Sequence, residues 1–123
     1  MNKFFDKHGD YFYVVFRVIV GFVFLLHGVA KVGNAELLSL MWFAMLIEIV
    51  AGAFVILGLF TRISAVVAAL EMAYAFLFVH VASGGWNPLS NNGEAALLYF
   101  AAFLAIIAFG ARCCSIDSSI RRR

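Results

Sequence analysis

Four long apolar stretches follow one another along the chain, separated by short polar breaks. They run approximately over Tyr11–Val32, Leu37–Phe60, Ile63–Ala82 and Ala95–Ala111. A membrane-spanning helix needs about 20 apolar residues, with a usual range of about 17–25, and each stretch lies in that range. The stretches lack the alternation of strands, and a helix satisfies its own backbone hydrogen bonds inside a bilayer. The pattern predicts an all-α integral membrane four-helix bundle, formed by a single domain over residues 1–123.

The composition supports a membrane location. Hydrophobic residues make up 65% of the 123 positions and charged residues only 13%, whereas soluble domains carry about 25% charged residues. A soluble fold of this length would leave much of the apolar surface in water. A net charge of +2 without a basic face excludes a nucleic-acid partner. We expect the lipid bilayer as the surroundings, with partner subunits or further copies of the chain as protein contacts.

The basic residues predict an orientation for the bundle. Only Lys31 lies on one side of the predicted spans; the other side holds Lys3, Lys7, Arg62, Arg112, Arg121, Arg122 and Arg123. Because lysine and arginine concentrate in cytoplasmic loops, both termini and the turn at Thr61 are predicted to be cytoplasmic. The protein is then a multi-pass protein of the inner or plasma membrane. Thr61 is expected to cap the third helix.

Ionisable residues inside the predicted spans are the candidate functional residues, since each is costly in a bilayer unless it pairs or faces a cavity. They are Arg17, His27, Lys31, Glu48, Glu71, His80 and Glu94. A rise of about 1.5 Å per residue places a group of polar residues at one outer-leaflet level, with Glu48 beneath them. The group consists of His27, Lys31, His80, Asn92 and Glu94. We therefore predict a polar pocket at this level, beside Gly21 and Gly28, which let a neighbouring helix approach closely.

Glu71 is not expected in this pocket. It precedes His80 by nine residues, which is about 180° around a straight helix, so the two cannot face one cavity. His80 is assigned to the pocket, and Glu71 is expected to face Arg17 or a partner subunit. Structural roles stay open for four residues: Lys31 reaching lipid head groups, Glu94 in a capping box, His80 as a structurally satisfied interfacial histidine, and Arg17 in a buried ion pair with Glu48 or Glu71.

Polar residues and glycines occur in a particular order along most of the chain. They are Arg17, Gly21, His27-Gly28, Lys31, Glu48, Gly52, Gly58-Leu59-Phe60-Thr61-Arg62, His80, Asn92-Gly93-Glu94, Gly110, Arg112 and Ser115-Ile116-Asp117. This ordered set resembles the DoxX family of small four-helix membrane proteins, in particular its quinone-linked DoxD/DoxX group. The resemblance implies a membrane subunit associated with quinone-linked redox chemistry. Glu71 departs from it, because an apolar or small polar residue is expected at that position.

The first functional hypothesis is a quinone-interacting subunit of an oxidoreductase complex. Whether the chain is itself catalytic stays open. Histidine and lysine side chains would donate hydrogen bonds to the quinone carbonyls, and a glutamate would pass protons. The candidate catalytic residues are Glu48, His27 and His80, and the candidate quinone-binding residues are Arg17, His27, Lys31, Glu48, His80, Asn92 and Glu94.

Other functions stay open as alternatives. One is a non-catalytic scaffold or accessory subunit of a larger membrane complex, and another is a small-solute binding or transport protein. A b-type haem held between His27 and His80 has the least support, because bulky neighbours and Lys31 crowd that site. The adjacent Cys113 and Cys114 lack the spacing of metal ligands, and no metal site is predicted.

Overall fold

Residues 2–122 are described by a computed structural model, and their regular secondary structure is entirely helical. Helix α1 covers Asn2–Ala30, α2 covers Leu40–Leu57 and α3 covers Thr61–Tyr74. Each helix lies on one of the predicted apolar stretches. Helix α1 begins at Asn2 rather than Tyr11, because the polar segment before the apolar stretch is helical as well. The prediction of an all-α fold is confirmed.

The third apolar stretch forms a composite helix rather than a uniform one. Helix α3 continues without a break into a π-helical segment, Ala75–His80, and then into the short helix α4, Val81–Gly84. The π-helical segment adds a wider turn to the helix, so residues beyond it point in different directions from those of a straight α-helix.

The last two helices are shorter. Helix α5 covers Glu94–Phe109, and α6 covers Ile116–Arg121. Helices α1 and α2 and the 24-residue composite helix are long and apolar enough to cross a membrane, whereas α5 has 16 residues. The described part of the chain is thus of membrane type, with three helices of spanning length and a shorter fourth apolar helix.

Close contact between backbones fixes the packing of α1 on α2. A Cβ atom on Gly21 would lie 2.9 Å from the carbonyl oxygen of Gly52, and one on Gly52 would lie 2.9 Å from that of Gly21. The prediction that Gly21 allows close helix approach is confirmed. Helix α3 packs along α5, and α2 packs on α3, whereas α1 and α5 have little contact. The shared core contains Phe24, Val55 and Phe103.

Asp117 caps the start of α3 from the far end of the chain. Its carboxylate accepts hydrogen bonds from the N–H groups of Phe60 and Thr61, at 2.8 and 2.9 Å, and from the Thr61 hydroxyl at 2.8 Å. The expectation that Thr61 caps this helix is wrong, because its hydroxyl donates to Asp117. Burial acts to raise the pKa of the Asp117 carboxyl, but the hydrogen bonds from Thr61 and Phe60 outweigh it and lower the pKa.

Candidate functional site

Lys31, Glu48 and Glu71 meet in one group, which we call the charge cluster. The Lys31 Nζ atom donates to Glu48 Oε2 at 2.5 Å. The Glu48 residue is 3% exposed, on the face of α2 that packs against α1. The Glu71 carboxyl group lies near that of Glu48, with Lys31 as the nearby cation. Lys31 directly follows α1, Glu48 lies on α2 and Glu71 lies on α3. The packing of these helices thus brings one ammonium group to two carboxyl groups.

The expectation that Glu71 faces away from the pocket is wrong. It rested on a straight α-helix in which His80 had already been assigned to the pocket. The π-helical segment lies between Glu71 and His80, so the two directions are not related by α-helical rotation alone. Gly28 also allows α1 to approach Glu48 closely, because a Cβ atom at Gly28 would lie 2.9 Å from the Cβ atom of Glu48. The close approach of α1 leaves the Glu48 carboxyl between Lys31 and Glu71.

The charge cluster has more negative than positive groups. Among the described residues, none donates a hydrogen bond to the buried Oε2 atom of Glu71. With both carboxyls ionised the cluster would carry a charge of −1 in apolar surroundings, where like charges repel strongly. A proton shared by Glu48 and Glu71 would make the cluster neutral and would supply the missing donor. The arrangement is therefore suited to holding a proton.

Tyr99 and His27 form a polar pair beside the charge cluster. The Tyr99 hydroxyl lies 3.2 Å from His27 Nδ1, which is also 3.0 Å from the carbonyl oxygen of Val23. His27 directly precedes Gly28, the residue at which α1 packs against Glu48. Sequence reasoning identified His27 but missed Tyr99, because a tyrosine on an apolar stretch is not distinguished by its residue type. We call these two residues the Tyr99–His27 pair.

The Tyr99–His27 pair lies where α1 faces α5, the two helices with little mutual contact. His27 is exposed and Tyr99 is half-buried. The Phe24 ring lies beneath them, with its centroid 5.3 Å from that of Tyr99 and 4.8 Å from that of Phe103. The Tyr99–His27 pair thus lies beside two buried aromatic rings, on a side of the bundle where His27 is exposed.

His80 and the polar loop before α5 form a separate set of contacts. The His80 Nδ1 atom lies 3.2 Å from the carbonyl oxygen of Asn91. The Asn91 side chain is buried, donates to the Gly85 carbonyl at 2.8 Å and accepts from Gly93 N–H at 2.7 Å. The predicted residues Asn92 and Glu94 are exposed. Within residues 2–122, no hydrogen bond or ion pair joins these predicted residues to the charge cluster.

Arg17 lies at the other end of the bundle and is 1% exposed. Its guanidinium group donates to the backbone carbonyls of Ala111, Ile56 and Cys114, the last two at 3.3 and 3.2 Å. The expected ion pair with Glu48 or Glu71 is not formed. A guanidinium group has five N–H donors and can serve several carbonyls at once, here one in the last turn of α2 and two in the segment between α5 and α6. Arg17 therefore joins α1 to the ends of α2 and α5.

No metal centre is formed by the described residues. Within residues 2–122, no three His, Cys, Asp or Glu side chains come together to hold an ion. Cys113 and Cys114 are free thiols. Burial is the main cause that raises the pKa of the Cys113 thiol.

The fold defines a helical membrane-type protein, and its charge cluster brings one lysine and two glutamates together. The DoxX family model matches residues 12–81, a range that contains all three residues of the charge cluster. An uncharacterized protein of Haemophilus influenzae is 39% identical over 134 aligned positions, covering 96% of this chain and 97% of the relative. No solved structure matches the chain significantly. The chain belongs to the DoxX family.

Proposed function

We propose that the chain is a quinone-interacting membrane subunit of a redox complex. The observation that supports this is the Tyr99–His27 pair, in which the exposed His27 directly precedes the glycine that packs against Glu48. A quinone carbonyl requires a hydrogen-bond donor, and its reduction consumes two electrons and two protons. This chain offers the donors and a group that holds a proton, and a partner subunit with its own redox centre would supply the electrons.

The residues present fit a quinone head group. The Tyr99 hydroxyl and the exposed His27 ring offer hydrogen bonds to a quinone carbonyl, whereas the Phe24 and Phe103 rings beside them are fully buried. A bound quinone would supply the electron-accepting chemistry. In this proposal Glu48 and Glu71 hold the proton near the Tyr99–His27 pair. Of the predicted binding residues, His27, Lys31 and Glu48 belong to this proposed site.

A Tyr99→Phe substitution tests the proposed site directly. We expect it to weaken binding of a short-chain ubiquinone or menaquinone analogue by about 3- to 10-fold, the effect of one lost hydrogen bond. Binding is measured by titration of purified protein in lipid nanodiscs. Tyr74→Phe is the matched control, because Tyr74 is an exposed tyrosine of α3 stacked on Phe78, and it should leave affinity unchanged.

The outcome separates the proposal from its main alternative. Equal affinity in wild type, Tyr99→Phe and Tyr74→Phe would contradict quinone binding at this site. If that result came together with a stoichiometric co-purifying subunit, a non-catalytic scaffold of a larger membrane complex would be the better description.

We also propose that the chain crosses the inner or plasma membrane four times, with both termini in the cytoplasm. Asp10 and Arg112 form an exposed ion pair at 3.7 Å, and the Tyr13 hydroxyl donates to the Gly110 carbonyl at 2.5 Å. These contacts put the early part of α1 beside the end of α5, as an even number of crossings requires. The excess of lysine and arginine at that end supports the cytoplasmic assignment.

Single cysteines introduced into a Cys113→Ser/Cys114→Ser background test this topology. We expect Asn87→Cys, in the loop before α5, to react with a membrane-impermeant maleimide in intact cells. Ser119→Cys, an exposed position of α6, should react only after the membrane is permeabilised. Labelling of both positions in intact cells would mean that α5 does not cross, which would contradict the four-crossing bundle.

A further inference from the structure

A cleft opens at the Arg17 end of the bundle, away from the charge cluster. It lies between the start of α3, the end of α5 and α6, and has a volume of about 560 Å³. Three arginines, Arg62, Arg112 and Arg121, line it together with Asp117. The lining therefore carries a net positive charge in a part of the molecule that the proposed quinone site does not use.

The single carboxylate in this cleft is already occupied. Both oxygens of Asp117 accept hydrogen bonds from the start of α3. Arg112 is 3.7 Å from Asp10 and stacks 5.3 Å above the Phe109 ring. Among residues 2–122, the Arg62 side chain donates a hydrogen bond only to the Ala108 carbonyl, at 3.4 Å. Arg62 and Arg112 thus make weak contacts that leave donors for an incoming anion, and Arg121 is exposed at the end of α6.

Large apolar side chains share the same lining. They are Phe60, Ile63, Phe109 and Ile120, each at least half exposed. A free inorganic anion has no use for such a surface, whereas a phospholipid brings an acyl chain directly attached to its phosphate. The cleft also lies at the ends of α3 and α5, which is the level of the lipid head groups for helices that cross a bilayer.

We propose that this cleft binds an anionic phospholipid, with its phosphate on Arg62 and Arg121 and its acyl chains on the apolar lining. Guanidinium groups bind phosphate oxygens through paired N–H donors, which gives arginine an advantage over lysine in such a site. Arg112 adds positive charge at the rim. This inference does not depend on the proposed quinone function.

Lipid retention provides the test. Purified protein is equilibrated in nanodiscs of mixed phosphatidylglycerol and phosphatidylcholine, and bound lipids are counted by native mass spectrometry after gentle release. We expect wild type to retain phosphatidylglycerol preferentially and the Arg62→Gln/Arg121→Gln variant to lose about 30-fold in that preference, at about 1 kcal/mol for each basic residue. Lys3→Gln/Lys7→Gln removes the same charge from exposed positions of α1 outside the cleft and should retain the preference.

Two further measurements keep the result decisive. Arg62→Lys/Arg121→Lys preserves charge and should lose part of the preference, which distinguishes a built phosphate site from general surface charge. Inorganic phosphate at millimolar concentration should not displace the lipid. No preference for phosphatidylglycerol in wild type, an equal loss in the Lys3/Lys7 control, or displacement by inorganic phosphate would each overturn the proposal.

Discussion

The Lys31→Met variant is expected to lose about 3–5 kcal/mol of unfolding free energy at neutral pH. The substitution removes the ammonium group from the charge cluster and leaves the carboxyls of Glu48 and Glu71 without a cation. The Glu48 side chain is only 4% exposed, so water cannot replace the lost partner. Unfolding in mixed lipid–detergent micelles, followed by circular dichroism, measures the change.

The Lys31→Met/Glu48→Leu double variant provides the control for this result. It removes both members of the ion pair, leaves one carboxyl that can be neutral, and should recover most of the lost stability. The deficit of Lys31→Met itself should shrink as the pH falls, because a protonated carboxyl no longer needs a cation. Lys3→Met, at an exposed position of α1, should change the unfolding free energy by less than about 0.5 kcal/mol. A Lys31→Met protein as stable as wild type would show that Lys31 serves the lipid head groups instead.

Arg17→Met is expected to be comparably damaging, for a different reason. It leaves the carbonyls of Ile56, Ala111 and Cys114 without their donor, at a cost of about 3 kcal/mol or more in unfolding free energy. We also expect faster reaction of the Cys113 and Cys114 thiols with a maleimide, because the segment after α5 is released. The two readouts together distinguish local release of this segment from global unfolding.

Two further substitutions serve as controls for the Arg17→Met result. Arg17→Lys keeps the charge but provides one ammonium group in place of a planar fork, so it should recover only part of the stability. Arg62→Met removes an exposed arginine with a single 3.4 Å contact and should have little effect on stability. Unchanged stability and unchanged thiol reactivity in Arg17→Met would contradict the structural role assigned to Arg17.

Helices were predictable from the sequence because apolar length is a direct requirement of the bilayer. The ends of the helices were less predictable than the helices themselves, since the ends depend on local contacts. Helix α2 begins at Leu40 rather than Leu37 because the Ser39 side chain accepts the N–H of Trp42. It ends at Leu57 because Gly58 adopts a left-handed conformation, with φ 68°. Such features occupy one or two residues and do not change the average hydropathy of a stretch.

The candidate site was predictable in part. Depth along straight helices placed Lys31 and Glu48 near each other, and the structure joins them. It did not place Glu71, because the π-helical segment that follows has no distinctive residue in Ala75–His80. The partners of Arg17 were not predictable, since they are backbone carbonyls, which every residue possesses. The buried amide of the polar loop is Asn91 rather than the predicted Asn92, a difference of one position that only the turn geometry decides.

The contacts of Arg17 impose an order on biogenesis. Its partners Ala111 and Cys114 follow it by 94 and 97 residues, which takes a ribosome about 5–20 s to synthesise. During that interval α1 already has to enter the bilayer with an arginine whose main acceptors do not yet exist. We therefore expect α1 to stay near the membrane surface, or in contact with the insertion machinery, until the end of α5 has been synthesised. Assembly of this bundle is completed from its last helix back to its first.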